Sequence, residues 1–96
     1  MKLKEEYVEM LHRQIDDWDN RISLLQDRLK IVEGESRIEL QDQIDSLTQK
    51  REEIAGKVKT VQQASADAWE DIKAGLELAS DAVQSSLESA FSRFMK

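Results

Sequence analysis

Apolar residues recur in alternating steps of three and four along the first third of the chain, and no other feature constrains the fold as strongly. The positions are Val8, Leu11, Ile15, Trp18, Ile22, Leu25, Leu29 and Val32. This spacing fills positions a and d of a heptad repeat and places one apolar stripe on a helix, which must be buried against another helix. The sequence predicts a coiled-coil seam here and, through it, association of identical chains.

A second seam follows the first, offset by one inserted residue. It consists of Leu40, Ile44, Leu47, Arg51, Ile54, Val58 and Val61. The insertion shifts the winding of the apolar stripe locally. Arg51 is the one charged residue in this seam, and we interpret it as a side chain that sets the register or extends its charge to water.

The junction between the seams admits a turn. Gly34 can end one helix, and Ser36 with Glu39 has the spacing of a capping box that opens the next. A turn there would divide the chain into three segments of similar length that could pack side by side.

The same junction also admits an uninterrupted helix. An i,i+4 pair, Glu33–Arg37, spans the glycine, and a hairpin would bring Arg21 near Lys50. Arg51 argues for the turn, because a parallel pair of continuous helices would stack two arginines in the seam. The balance favours the continuous helix slightly, and both forms stay open.

Composition indicates an all-α fold. The 96 residues include no proline, three glycines and five aromatic residues, and 35% are charged. A β-protein of this size would show turn residues and β-branched runs. We expect residues 1–64 to form the heptad coiled-coil region, with a break at 33–36 if the chain turns, and residues 67–94 to form a separate amphipathic helix rich in alanine and serine.

An eleven-residue repeat organises that last segment. Its apolar face comprises Trp69, Ile72, Leu76, Ala79, Val83, Leu87, Ala90 and Phe94. Eleven residues correspond to about 3.67 residues per turn, so the stripe runs nearly straight along the helix. Asp67 and Glu70 have the spacing of a capping box at its start.

A straight apolar stripe can pack on other helices or lie on a membrane surface or an apolar particle. Interfacial helices usually carry basic residues on the polar face, whereas this one carries mainly Asp and Glu. Protein packing is therefore the favoured interpretation, with surface binding as the alternative.

Several functional classes receive no support from the composition. The net charge is −6 without a basic segment, which argues against nucleic-acid binding. There is no cysteine, and His12 is the only histidine, which is poor material for a metal site. We expect no catalytic residues, no cofactor and no metal, and a cytoplasmic protein, because the first residues lack the apolar run of a signal peptide.

Three stretches, EYVEMLHRQIDDWDNRI, IELQDQIDSLTQKREE and DAWEDIKAGLE, occur in an order that resembles small uncharacterised bacterial coiled-coil proteins. The resemblance covers nearly the whole chain, and its most specific part is the box at 67–75. It implies helices and coiled-coil assembly, and no activity or site residues. The last segment also has a looser compositional likeness to phasins.

The sequence thus predicts a non-enzymatic protein that self-assembles through its coiled coil or serves as a helical adaptor for a protein partner. The alternative is an amphipathic coating protein that binds a membrane or particle through residues 67–94. A third class is a hydrophilic protective helix that folds only on drying or on binding.

Overall fold

The computed structural model describes residues 3–95, which form three α-helices: α1 (Leu3–Leu29), α2 (Glu35–Gln63) and α3 (Ala68–Phe94). Successive helices run antiparallel, since the Lys4 ammonium group at the start of α1 donates to Gln62 O and Ala64 O at the end of α2, at 3.3 and 3.0 Å. The bundle is elongated, at 51 × 18 × 17 Å. The prediction of an all-α fold is confirmed.

The chain turns at Gly34, so the slight preference for a continuous helix is wrong. Helical hydrogen bonding persists as far as Val32, whose N–H donates to Arg28 O at 3.2 Å. Gly34 then has φ 69° and ψ −145°, a combination that side chains rarely allow. A partner helix within the same chain also buries the first seam without the entropic cost of bringing two molecules together.

At both turns between helices, the side-chain hydrogen bonds and ion pairs differ from those predicted. The Arg37 guanidinium donates to Leu29 O, a carbonyl at the end of α1, instead of pairing with Glu33 across the glycine. At the second turn, Ala68 N–H donates to Ser65 Oγ at 3.3 Å, and Asp67 makes no side-chain capping bond. Neither predicted capping box forms. The first fails because α2 begins directly after Gly34, ahead of Ser36. The second fails although Asp67 directly precedes α3, because its backbone has helical φ −84° and ψ −39° instead of the extended conformation of a capping residue.

One apolar core joins the three helices. From the first seam, Val8, Leu11, Ile15, Trp18, Ile22 and Leu25 are buried, while Leu29 and Val32 are partly buried against the core. From the second seam, Leu40, Ile44, Leu47, Ile54, Val58 and Val61 are buried. From α3, Trp69, Leu76, Val83, Leu87, Ala90 and Phe94 complete the core. The two predicted regions, 1–64 and 67–94, therefore share a single core.

Candidate interaction surface

The structure places the predicted oligomerisation seam of α1 inside the bundle. Leu11, Trp18 and Leu25 have no exposed surface, and their neighbours along the seam are nearly as deeply buried. The partner helix that the heptad pattern requires is supplied by α2 and α3 of the same chain. In this fold the seam is not accessible to a second molecule.

The predicted apolar face of α3 also points inward. Ile72 and Ala79 are partly buried, and the other six members belong to the buried core. Trp69 is only 7% exposed, and its ring centroid lies 6.0 Å from that of Tyr7. The Lys73 ammonium group lies 5.4 and 5.6 Å from these two ring centroids, where a cation interacts favourably with aromatic faces. Trp69 thus joins the start of α3 to the start of α1.

The α1–α2 interface contains a charged pair that the sequence analysis missed. Arg51 Nε and Nη2 donate to the two carboxylate oxygens of Asp19 at 2.7 and 2.9 Å. The hydrogen bond to Asp19 is the main cause of a raised pKa for Arg51. The sequence did indicate this pair, because Arg51 occupies a seam position of the second heptad repeat and Asp19 occupies heptad position e, beside the first seam. The sequence analysis considered only the approach of Arg21 to Lys50 in a hairpin and overlooked this pair.

The α1–α3 interface is less extensive than the two interfaces that involve α2. Trp18 Nε1 donates to Gln84 Oε1 at 3.5 Å, and Arg28 Nε donates to Phe94 O at 2.7 Å. Three buried side-chain atoms in the described residues have no hydrogen-bond partner: Tyr7 Oη, Gln14 Oε1 and Ser80 Oγ. Each such atom loses its hydration without a compensating hydrogen bond, which is unfavourable for folding.

The burial of Tyr7 also shifts the pKa of its phenol. Burial is the main cause of its raised pKa, and the negative charge of Glu77 adds to it. The neutral phenol is therefore favoured in the folded chain.

A second apolar row, which the sequence analysis did not identify, runs along the exposed side of α1 and ends in the turn that follows it. Four of the seven exposed large apolar side chains in residues 3–95 are Leu3, Met10, Leu24 and Ile31. They lie seven residues apart, at heptad position c, and Asp17 occupies the middle of the row. We call Leu3, Met10, Asp17, Leu24 and Ile31 the outer row. The signal was present in the sequence as a seven-residue spacing outside positions a and d.

Polar residues flank the outer row. Asp17 and Arg21 form an i,i+4 ion pair at 3.1 Å, and their side chains are 53% and 35% exposed. Arg13 pairs with Glu9 at 3.3 Å on the solvent side. A row of apolar side chains bordered by charges has the composition of a protein contact surface with a polar rim.

The grooves of the bundle are shallow and lie mostly near helix ends. One of about 440 Å³ beside the start of α1 is lined by Lys4, Glu5, Val8, Glu9, His12 and Gln62. Within residues 3–95 no three His, Asp or Glu side chains are grouped so that they could hold a metal ion. Over the same residues, no helix is both long and apolar enough to cross a membrane.

Comparisons of the chain with protein-family models, curated proteins and solved structures find no match. The resemblance to small bacterial coiled-coil proteins stays a prediction.

Proposed function

We propose that this chain is a non-enzymatic helical module that acts by protein assembly or as an adaptor, and that its contact surface is the outer row of α1. The observation that carries the proposal is the recurrence of exposed apolar side chains at one heptad position. Apolar anchors that repeat at i and i+7 along one helix face are typical of a helix that binds a groove on a partner.

The proposal moves the contact from the buried seam to an exposed row of the same helix. Assembly through Val8–Val32 would require the bundle to open and expose its core, and each large apolar side chain uncovered costs about 1.5–3 kcal/mol. The outer row is already exposed in the closed bundle. A partner can therefore bind it without unfolding.

Photo-crosslinking in the native cells tests the proposal. A benzophenone amino acid at Leu24 should yield a discrete crosslinked product, because that position would lie in the contact. The same probe at Leu78, an equally apolar but isolated residue on α3 that is 74% exposed, is the matched control. Identical product patterns at the two positions, or none at either, would refute the assignment.

The amphipathic coating function is the second candidate, and one observation favours it. Tyr7 Oη is buried beside Trp69 without a hydrogen-bond partner, and α1 and α3 share the least extensive of the three interfaces, so α1 holds α3 less firmly than α2 does. Release of α3 must also separate it from α2. Release of α3 would present Trp69, Leu76, Val83 and Leu87 to an apolar surface. The apolar surface would have to bury these side chains about as fully as the bundle does, so that their release is not energetically unfavourable.

Vesicles that contain brominated phospholipids distinguish this candidate. In a Trp18→Phe variant, Trp69 is the only tryptophan. If α3 inserts, bromine should quench the Trp69 emission in neutral or anionic vesicles. Unchanged emission intensity at saturating lipid would mean that Trp69 stays in the protein core.

A further inference from the structure

The turn between α1 and α2 interrupts helical geometry over only a few residues. Helical hydrogen bonding extends to Val32, whose N–H donates to Arg28 O, and it resumes where Arg37 N–H donates to Gly34 O at 3.1 Å. Gly34 is the only residue with a positive φ among residues 3–95. A change of backbone conformation centred on Gly34 is therefore what separates this turn from a single helix of residues 3–63.

The turn buries little surface of its own. Ile31 and Ile38, which flank Gly34, are 67% and 64% exposed, so straightening the turn would uncover neither of them. The start of α2 has no side-chain capping bond that a straight helix would lose. In a straight helix, by contrast, the backbone groups of the turn would gain helical hydrogen bonds, and Glu33 and Arg37 would have the spacing of a favourable i,i+4 pair.

The two seams share one face when the chain is drawn as a straight helix. At 100° per residue, every seam position from Val8 to Val61 falls within an arc of about 120°. A strict heptad repeat drifts around a straight helix, and the residue inserted between the seams offsets that drift. The sequence is therefore compatible both with the turn and with one long helix that has a single apolar face.

From these observations we propose that the turn at Gly34 is a hinge, and that two copies of this chain exchange α1 to form a domain-swapped dimer. Each chain straightens into one helix of residues 3–63, about 90 Å long at 1.5 Å per residue. The two long helices pack antiparallel, seam against seam, so that α1 of each copy lies on α2 and α3 of the other. The inference goes beyond the proposed function and does not rest on the outer row.

The α1–α2 contacts of the closed bundle can form again between the two copies. Lys4 lies thirty residues before Gly34, and Ala64, whose carbonyl accepts from it, lies thirty residues after. Asp19 and Arg51 lie fifteen residues before and seventeen residues after the same glycine. Two straight chains aligned antiparallel about Gly34 therefore bring the same partners together. The core is exposed only during the exchange, which makes the exchange slow and leaves the dimer as well buried as the monomer.

Substitution of the hinge glycine tests the proposal. Gly34→Ala strains the closed turn, where φ is 69°, and favours the helix that replaces it in the dimer. Because each dimer contains two hinges, the concentration at which half of the chains are dimeric should fall by about a hundredfold or more. Gly56→Ala is the matched control, since residue 56 is helical in both forms, and it should leave that concentration unchanged.

Size-exclusion chromatography with light scattering, on chains refolded at micromolar to submillimolar concentration, measures the effect. The mass should rise from 11.1 kDa toward twice that value, at lower concentration for Gly34→Ala than for Gly56→Ala. Insertion of three glycines after Gly34 relaxes the turn and should suppress the dimer. A Gly34→Ala protein that stays monomeric throughout this range would overturn the proposal.

The shape of the dimer distinguishes exchange from side-by-side association. The exchanged dimer places two bundles end to end, so its maximum dimension should be about twice the 51 Å length of one bundle. Small-angle X-ray scattering of the Gly34→Ala dimer measures this length. A dimer no longer than one bundle would mean that α1 is not exchanged.

Complementary charges test which residues meet across the two copies. Asp19→Arg and Arg51→Asp are introduced separately into the Gly34→Ala chain, and each places like charges where the pair at 2.7 Å was. Refolded together at low salt, the two variants should form the heterodimer in several-fold excess over the statistical proportion, because exchange restores both opposite-charge pairs. A chain that carries both substitutions restores the pair within itself and should dimerise like Gly34→Ala alone. Native mass spectrometry counts the species, and a statistical mixture would refute the exchange while leaving the Leu24 crosslinking test of the outer row unaffected.

Discussion

The inner and outer faces of α1 carry apolar residues with the same seven-residue repeat and meet opposite environments. Leu24 and Leu25 are adjacent in the chain, yet Leu24 is 48% exposed and Leu25 has no exposed surface. The inner face has two apolar positions per heptad and is covered by α2 and α3. The outer face has one, which is a narrower stripe than the face by which a helix packs into a core.

The largest effect should come from truncating the two adjacent leucines. Leu25→Ala should lower the free energy of unfolding by about 2–5 kcal/mol, because it leaves a cavity in the core. Leu24→Ala should change it by less than about 0.5 kcal/mol, as at other surface positions. Urea unfolding followed by circular dichroism at low protein concentration measures both. Equal losses would mean that the two faces are not distinct.

The turn at Gly34 lets α2 cover the inner face of α1, and a substitution there should have the next largest effect on stability. Gly34→Ala should destabilise the fold by about 1–3 kcal/mol, because a Cβ strains a backbone with φ 69°. Gly56 and Gly75 lie in exposed helical positions where an added Cβ meets no atom within 4 Å. Alanine at either should stabilise the fold by about 0.5–1 kcal/mol. Thermal unfolding of the three variants gives the comparison, and a Gly34→Ala protein as stable as Gly56→Ala would contradict it.

The border between the faces on the α2 side holds Asp19 and Arg51, whose side chains are 45% and 25% exposed. A double-mutant cycle with Asp19→Asn and Arg51→Met should give a coupling of about 0.5–1 kcal/mol, small because water still reaches the pair. Added salt should reduce the coupling. A coupling near zero at low salt would mean that the bidentate contact contributes only to register.

Tyr7 lies at the border between the inner and outer faces on the α3 side. Of the substitutions considered, a change at Tyr7 should have the smallest effect on stability at neutral pH. Tyr7→Phe removes a buried hydroxyl without a partner, so stability should be unchanged or rise by a few tenths of a kcal/mol, less than about 0.5. Because burial raises the pKa of Tyr7 in the folded chain above the ordinary value of 10.0, stability should fall as pH rises through and beyond that value. The phenylalanine variant should lack this part of the alkaline loss.

Tyr7 is the only tyrosine, so its absorbance reports the titration directly. A midpoint at or below the ordinary value would contradict the raised pKa.

Much of the fold could be predicted from residue spacing. The two heptad seams and the apolar face of α3 contain most of the buried core, because periodicity of 3.5–3.67 residues is a local property of a helix. The turn at Gly34 was left undecided, since a glycine is tolerated inside a helix at about 1 kcal/mol. The partner of Arg51 was missed, because it lies on another helix at a register that only the turn defines.

For the outer row, too, one part could be predicted from residue spacing and another part depended on the tertiary structure. Its seven-residue spacing was readable in the sequence, but a stripe of four apolar residues becomes a candidate contact surface only when the rest of the apolar residues are buried elsewhere.

The sequence by itself determined that this chain is helical and which residues of each helix avoid water, because helix geometry converts spacing into faces. Only the tertiary structure decided that the partner of the α1 seam is the chain's own α2 and α3. The reason is the backbone at Gly34: once it turns, α2 and α3 pack on the seam at high effective concentration, and the large apolar side chains of α1 that stay exposed are Leu3, Met10 and Leu24.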